Sequence, residues 1–239
     1  MQFNPNPERT VLNTAKVKAI TLDLDDTLWP IWPAIARAEV AMGDWLRARA
    51  PATAALLMDA QARLALREAV VRASPEIAHN MSAIRLELIR QGLRQSNEDP
   101  SLAQGSFDVF FEHRMKVDLF ADVLPALEFL AARFPLVAVS NGNADVARVG
   151  LGRYFLSSVS AHEFGIAKPD ARIFHAAAAQ AGVAAHEVLH VGDDGALDVL
   201  GADACGMQTV WVNREGHDWA HDTQPHLTVT DLAQLCALF

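Results

Sequence analysis

Three short apolar runs in the chain each end in a knot of polar residues. Val17, Ala19, Ile20, Leu22 and Leu24 lead into Asp23-Leu24-Asp25-Asp26-Thr27. Leu136-Val137-Ala138-Val139 leads into Ser140-Asn141-Gly142-Asn143, and Val188-Leu189-His190-Val191 leads into Gly192-Asp193-Asp194-Gly195, with Asp198 beyond. Such runs, bounded by turn-forming residues, predict buried strands. From Pro125 to Val212 strand and helix patterns alternate, the signature of parallel βαβ units. Ala144 to Leu151 reads as a helix, and Pro169 as the first turn of another that continues through Ile173, Phe174, Ala177 and Ala178. From Trp32 to about Val117 the period changes. Trp32, Ile35, Ala36, Met42, Trp45 and Leu46 form one helical stripe, then Leu56, Leu57, Ala60, Leu64 and Ala65, then Ile77, Met81, Ile84 and Leu88. Pro51, Pro75 and the stretch from Gly92 to Pro100 punctuate them. The pattern predicts an α/β unit interrupted by an all-helical insert.

The polar knots carry the candidate chemistry. Asp23 and Asp25 are two apart and share a face if the strand stays extended. Three clustered carboxylates repel one another unless a cation or ligand compensates, and oxygen ligands suit a divalent metal. Ser140, Asn141 and Gly142 offer a hydroxyl and unencumbered amides, usable as an anion cradle where a helix begins. Lys168, in Ala167-Lys168-Pro169-Asp170, is expected just ahead of a helix N-terminus. Singly, each knot also suits an ordinary turn: Asp26 or Thr27 could cap the next element, and Asp194-Gly195 would turn well.

Composition narrows the class. The 239 residues suffice for one sizeable core plus an insert. A net charge of −9 argues against a nucleic-acid partner. No segment approaches eighteen unbroken apolar residues, so no membrane span is expected. The first sixteen residues lack a signal-peptide core, and Asn4-Pro5-Asn6-Pro7 reads as a loose leader. Cys205 and Cys236 are read as small hydrophobes in a reducing cytoplasm. The sequence carries no signal for an oligomeric state.

Taken in order, the four stations resemble the motifs of the haloacid dehalogenase superfamily: Asp-x-Asp-x-Thr, a Ser or Thr, a Lys, then Gly-Asp with a further Asp. The resemblance implies a Rossmann-like three-layer core with a mostly parallel sheet, its first strand central. The core is expected over 1–30 and 120–239, with an inserted helical cap over 31–119. It implies Asp23 as a nucleophile attacking phosphorus and Asp25 as acid and then base. Ser140, Asn141 and Gly142 are implied as the phosphate cradle, and Lys168 as the neutralising cation. Mg²⁺ would be held by Asp23, the Asp25 backbone carbonyl and Asp193, with Asp198 and Asp194 supporting its waters. Members that break carbon–halogen bonds lack the second acid, so Asp25 points to phosphotransfer on a small-molecule phosphate ester. A phosphomutase also carries that acid. An idle, binding-only member would be expected to have a broken station, and every station is intact.

A narrower resemblance rests on Ser74-Pro75-Glu76-Ile77-Ala78-His79 with Arg85, on Gly150-Leu151-Gly152-Arg153-Tyr154-Phe155, and on the sequences around Ser140 and Asp193. These are similar to bacterial flavin-pathway phosphatases acting on 5-amino-6-(5-phospho-D-ribitylamino)uracil, and often on FMN. Trp29-Pro30-Ile31-Trp32-Pro33 is more aromatic than that subgroup's pattern. On a helix from Pro75 to Gly92, Arg85 would sit at the edge of the apolar stripe and His79 nearly opposite, so at least one is expected to face the cleft. Trp29 and Trp32 are expected to pack at the cap hinge, with stacking on a flat base as the other role open to them. His186/His190 and His217/His221 have i,i+4 spacing but no further ligands in register, and are read as ordinary residues.

Overall fold

The computed structural model describes residues 11–239; Asn4-Pro5-Asn6-Pro7 lies outside them. Six parallel strands form one sheet in the order β3-β2-β1-β4-β5-β6. They are β1 (Ala19–Leu22), β2 (Leu136–Ser140), β3 (Ser157–Ser160), β4 (Val188–Gly192), β5 (Gln208–Val212) and β6 (Leu227–Val229). The expected central β1, flanked by the strands of the second and fourth stations, is what forms: Ile20 pairs with Leu136 on one side and Leu189 on the other. All three polar knots therefore emerge at the carboxyl edge of adjacent strands, where open α/β sheets bind ligands.

Alternation of side chains along each strand divides the core in two. Ile20, Leu22, Ala138 and Val191 face the helix Val123–Ala131 and the last helix, Leu232–Cys236. Ala19, Val137, Val139 and Val188 face the helix Ala171–Gln180. The result is a three-layer sandwich with both sheet faces covered, as a parallel sheet requires.

Between β1 and β2 lie five helices, α1 (Ile31–Arg47), α2 (Pro51–Met58), α3 (Ala60–Ala73), α4 (Met81–Gln95) and α5 (Leu102–Arg114), with no strand. They bury their own apolar cluster, including Met42, Leu46, Leu57, Ile84, Ile89, Leu93 and Phe110. Among the described residues no helix is long and apolar enough to cross a membrane.

Several local expectations are corrected. The helix expected over Ala144–Leu151 is a string of turns: Asp145 caps the amides of Ala147 and Arg148, and Gly150, in the left-handed region at φ +85°, reverses the chain. Pro169 lies ahead of its helix, whose N-cap is Asp170 accepting from the Arg172 amide. The single helix expected from Pro75 is a 3₁₀ turn, Pro75–Ile77, followed by a fresh start at α4, where Asn80 accepts from the Ala83 amide. A good N-cap at residue 80 thus ends one element and begins another. Its stripe is not wholly internal either, since Met81 is exposed. Trp32, expected in a helical stripe and packed at the cap hinge, is 74% exposed, whereas Trp29 is fully buried.

Candidate active site

The chain leaves the sheet at Asp23, and Asp26 takes a left-handed conformation at φ 59° that turns it back toward the insert. The Asp26 side chain accepts from the Ile31 amide and so launches α1. Asp23 is 7% exposed and receives the Lys168 ammonium at 2.5 Å. Lys168 also reaches Asp198 Oδ1 at 2.6 Å and is itself buried. Its backbone is gripped by Asn141, whose amide accepts from Lys168 N at 2.7 Å and donates to Lys168 O at 3.0 Å. The Asn141 side chain therefore anchors the lysine loop. Ser140 Oγ accepts from the Gly142 amide at 2.9 Å.

Asp198 is saturated. His190 Nε2 meets its Oδ1 at 3.0 Å, and the Asp194 amide donates to Oδ2 at 3.1 Å. Gly192 must lack a side chain, because a Cβ there would collide with the Asp198 carboxylate. Asp194, expected to support metal waters, instead caps the π-helical turns Gly195–Leu200, accepting from the amides of Ala196 and Leu197 at 2.8 Å. Asp193 keeps a freer carboxylate: Thr27 Oγ1 donates to Oδ1 at 3.0 Å, while Trp211 Nε1 holds its backbone carbonyl at 2.7 Å.

Charge crowding shows in the carboxyl groups. Burial, reinforced by Asp198 and Asp193, raises Asp23 well above the carboxylate range although Lys168 opposes it. Burial, then Asp198, pushes Asp193 up to about 7. Burial would also raise Asp198, yet Lys168 and the His190 hydrogen bond hold it at about 2. Lys168 is raised, since Asp198 and Asp23 outweigh its own burial. Asp23, Asp193 and Asp198 each bring a carboxylate oxygen within 4.8 Å of the others, with one ammonium among them. This hard-oxygen, excess-negative donor set fits a divalent cation. Because Asp198 is already taken up by Lys168, His190 and a backbone amide, Asp23 and Asp193 are the carboxylates left for it.

Raised folded-state values mean that Asp23 and Asp193 contribute stability below the unfolded-chain value of a carboxyl group, lost as pH rises through each folded value, which for Asp193 is about 7. A metal that competes with those protons restores it. The melting-temperature gain on adding Mg²⁺ to chelator-treated protein should therefore grow from about pH 5 to about pH 8. Referencing each value to the metal-free protein at the same pH cancels His190, whose burial-lowered titration runs the other way. A gain independent of pH would remove Asp23 and Asp193 from the ligand set.

Asp25 lines a cavity of about 490 Å³ between the sheet edge and the insert. Its Oδ1 accepts from Trp29 Nε1 at 2.8 Å and from Arg114 Nη2 at 2.5 Å. Arg114, the last residue of α5, is 1% exposed. Among the described residues its Nε and Nη1 find no partner, although unmet donors on a buried charge cost about 1–3 kcal/mol or more. The cavity wall mixes apolar groups (Trp32, Ile35, Leu64, Phe110) with Arg63, Arg67, Arg85 and Glu39. Arg85 stacks over Phe110 at 3.8 Å and reaches Glu39 at 3.4 Å.

Asp23, Lys168, Asp193 and Asp198 are thus gathered at one place, with Asp25, Ser140, Asn141 and Gly142 bordering it. Of the two residues of which at least one was expected to face the cleft, Arg85 lines the cavity. His79 lies in the turn before α4 and is not part of the cavity wall. Arg114, His190, Trp211 and the indole of Trp29 as a partner of Asp25 were not legible. Arg114 is 89 residues from Asp25, so no local spacing could signal the pair.

A family model described as haloacid dehalogenase-like hydrolase matches residues 17–206. The 5-amino-6-(5-phospho-D-ribitylamino)uracil phosphatase YigB of Escherichia coli is 36% identical over 231 residues, covering 93% of this chain and 96% of that protein. The phosphoserine phosphatase of Thermus thermophilus is 31% identical over 157 residues, 63% of each chain. Among solved structures, a 2-haloacid dehalogenase from Pseudomonas syringae superposes with a TM-score of 0.88 at 38% identity, covering 93% of this chain and 97% of that one.

Proposed function

The chain belongs to the haloacid dehalogenase-like hydrolases, and from that premise we propose that it is a Mg²⁺-dependent phosphatase of small-molecule phosphate monoesters. Its first-choice substrate is 5-amino-6-(5-phospho-D-ribitylamino)uracil, with FMN as a second. The observation that carries this reading is the division of labour between two acids: Asp23 is paired with Lys168, while Asp25 stands apart in the cavity wall on its own donors. The substrate is supported by the 36% identity to YigB across nearly the whole of both chains.

In this mechanism Asp23 attacks phosphorus and carries the phosphoryl group as an acyl phosphate. Lys168 neutralises charge on Asp23 and the phosphoryl oxygens and is aimed by Asp198 and Asn141. The Ser140 hydroxyl and the Asn141–Gly142 amides hold phosphoryl oxygens. Asp25 gives a proton to the departing oxygen and later takes one from water. Asp23, Asp193 and the Asp25 backbone carbonyl would hold Mg²⁺, which supplies charge compensation for the carboxylates and the phosphate.

The insert, taken as a cap over 31–119, supplies the wall that selects the organic part. A volume of about 490 Å³ suits a drug-sized ligand. Trp32 offers an exposed indole face for a flat ring, and Arg63, Arg67 and Arg85 offer donors for its carbonyls. A screen of Mg²⁺-loaded protein against sugar phosphates, nucleotides, FMN and the ribitylaminouracil phosphate tests the reading. The last should give the highest kcat/KM. Arg85→Ala should raise its KM about tenfold, the equivalent of one lost charge-assisted contact of about 1.4 kcal/mol, and should spare p-nitrophenyl phosphate. His79→Ala should change neither.

The superposition on the 2-haloacid dehalogenase supports a second reading, hydrolysis of a carbon–halogen bond. A departing halide needs no proton, so a positioned Asp25 would be idle in it. Halide release from 2-haloacids without phosphate release from any ester would establish that reading in place of ours.

A further inference from the structure

Resting on the phosphatase reading, we propose that Arg114 is a positioning residue for Asp25. With Trp29 it fixes Oδ1 and leaves Oδ2 as the oxygen that gives and takes the proton. Two N–H donors converge on Oδ1, the Trp29 indole from the core side and the Arg114 guanidinium from the end of the insert. An oxygen accepting two such bonds stays the carbonyl-like oxygen whether the group is acid or carboxylate. Oδ2 has a different environment. It lies over Gly142, where any Cβ would collide with it, and Gly142 and Asp25 both border the cavity. Glycine at 142 thus leaves Oδ2 the space that a side chain would fill.

The guanidinium's bond to Asp25 is the one hydrogen bond that the described residues give it, although the side chain is 1% exposed. A cation buried with its other donors unmet is not there for its own stability; what it does is orient a carboxylate. Arg114 closes α5 just before the chain returns to the sheet, so the bond ties the last residue of the insert's helices to the loop that follows β1.

The proton inventory closes. As the bond from phosphorus to the ester oxygen breaks, its electron pair stays on that oxygen, which takes the proton from Oδ2 and leaves as an alcohol. The negative charge left on Asp25 is met by the two donors on Oδ1. In the second half, water gives a proton to Oδ2 while its oxygen attacks phosphorus, and the electron pair of the bond to Asp23 returns to that carboxylate.

The test compares an alkyl phosphate with p-nitrophenyl phosphate, whose leaving group departs without a proton. Arg114→Ala should lower kcat for the alkyl ester by about 10²-fold, and the p-nitrophenyl ester should lose at least tenfold less. Arg114→Lys should fall between, and added guanidinium should restore Arg114→Ala selectively on the alkyl ester. Equal losses on both esters, or no loss on either, overturn the assignment. Should circular dichroism show that Arg114→Ala does not fold, Trp29→Phe, which keeps an aromatic ring smaller than the indole and removes the donor, carries the same comparison with a split of several-fold. Wild-type protein that releases phosphate from neither ester refutes the phosphatase reading instead.

Discussion

Asp23→Asn should abolish turnover and leave the fold at least as stable as the wild type. The amide keeps the shape of the carboxylate and can still accept from Lys168, but it cannot attack phosphorus. Losses of about 10⁴-fold or more are expected when a covalent nucleophile is removed. Stability should move the other way in metal-free protein. Asp23 is buried and its carboxyl is raised well above the ordinary range, chiefly by that burial, so its charged form opposes folding at neutral pH. A neutral amide relieves that opposition. Single-turnover assays and melting curves in chelator give both quantities from one preparation. Residual activity above about one per cent, a level far beyond that of other nucleophile deletions, would mean that the covalent route does not pass through Asp23.

Asp25→Ala should be the second-largest loss, and its size should depend on the ester. General acid help is worth about 10²–10⁴-fold, and it matters most when the leaving oxygen is an alkoxide. An alkyl phosphate should therefore suffer the full loss and p-nitrophenyl phosphate much less. The variant also leaves Arg114 buried without a carboxylate, a defect that costs about 3–5 kcal/mol when one partner of a buried pair is removed. Asp25→Asn, which retains an acceptor for both donors, separates the two effects. It should keep the ester-dependent loss and recover most of the melting temperature. Equal loss on the two esters in Asp25→Asn would exclude the acid role.

The architecture and the main members of the site were legible in local patterning. A strand buried on both faces is mostly apolar, and the acids that follow β1 and β4 and the hydroxyl that ends β2 interrupt such runs at one edge of the sheet. Side-chain period is local, so the change from strand to helix patterning marked the insert as well. Where two local signals competed, the stronger one won only in three dimensions. Asn80 is a better helix start than Pro75, and Gly150 stops a helix that Ala144–Val149 would otherwise suit.

The division of roles among the acids belonged to the tertiary structure. Asp193, Asp194 and Asp198 are alike in sequence, yet one keeps a freer carboxylate, one caps π-helical turns, and one is consumed by Lys168 and His190. Those partners come from other strands and loops, and a carboxylate's function is set by which donors reach it. The same holds for Arg114. Nothing in its neighbours along the chain marks it, because what distinguishes it from the exposed arginines of the insert is its place at the very end of α5, which removes it from water beside Asp25.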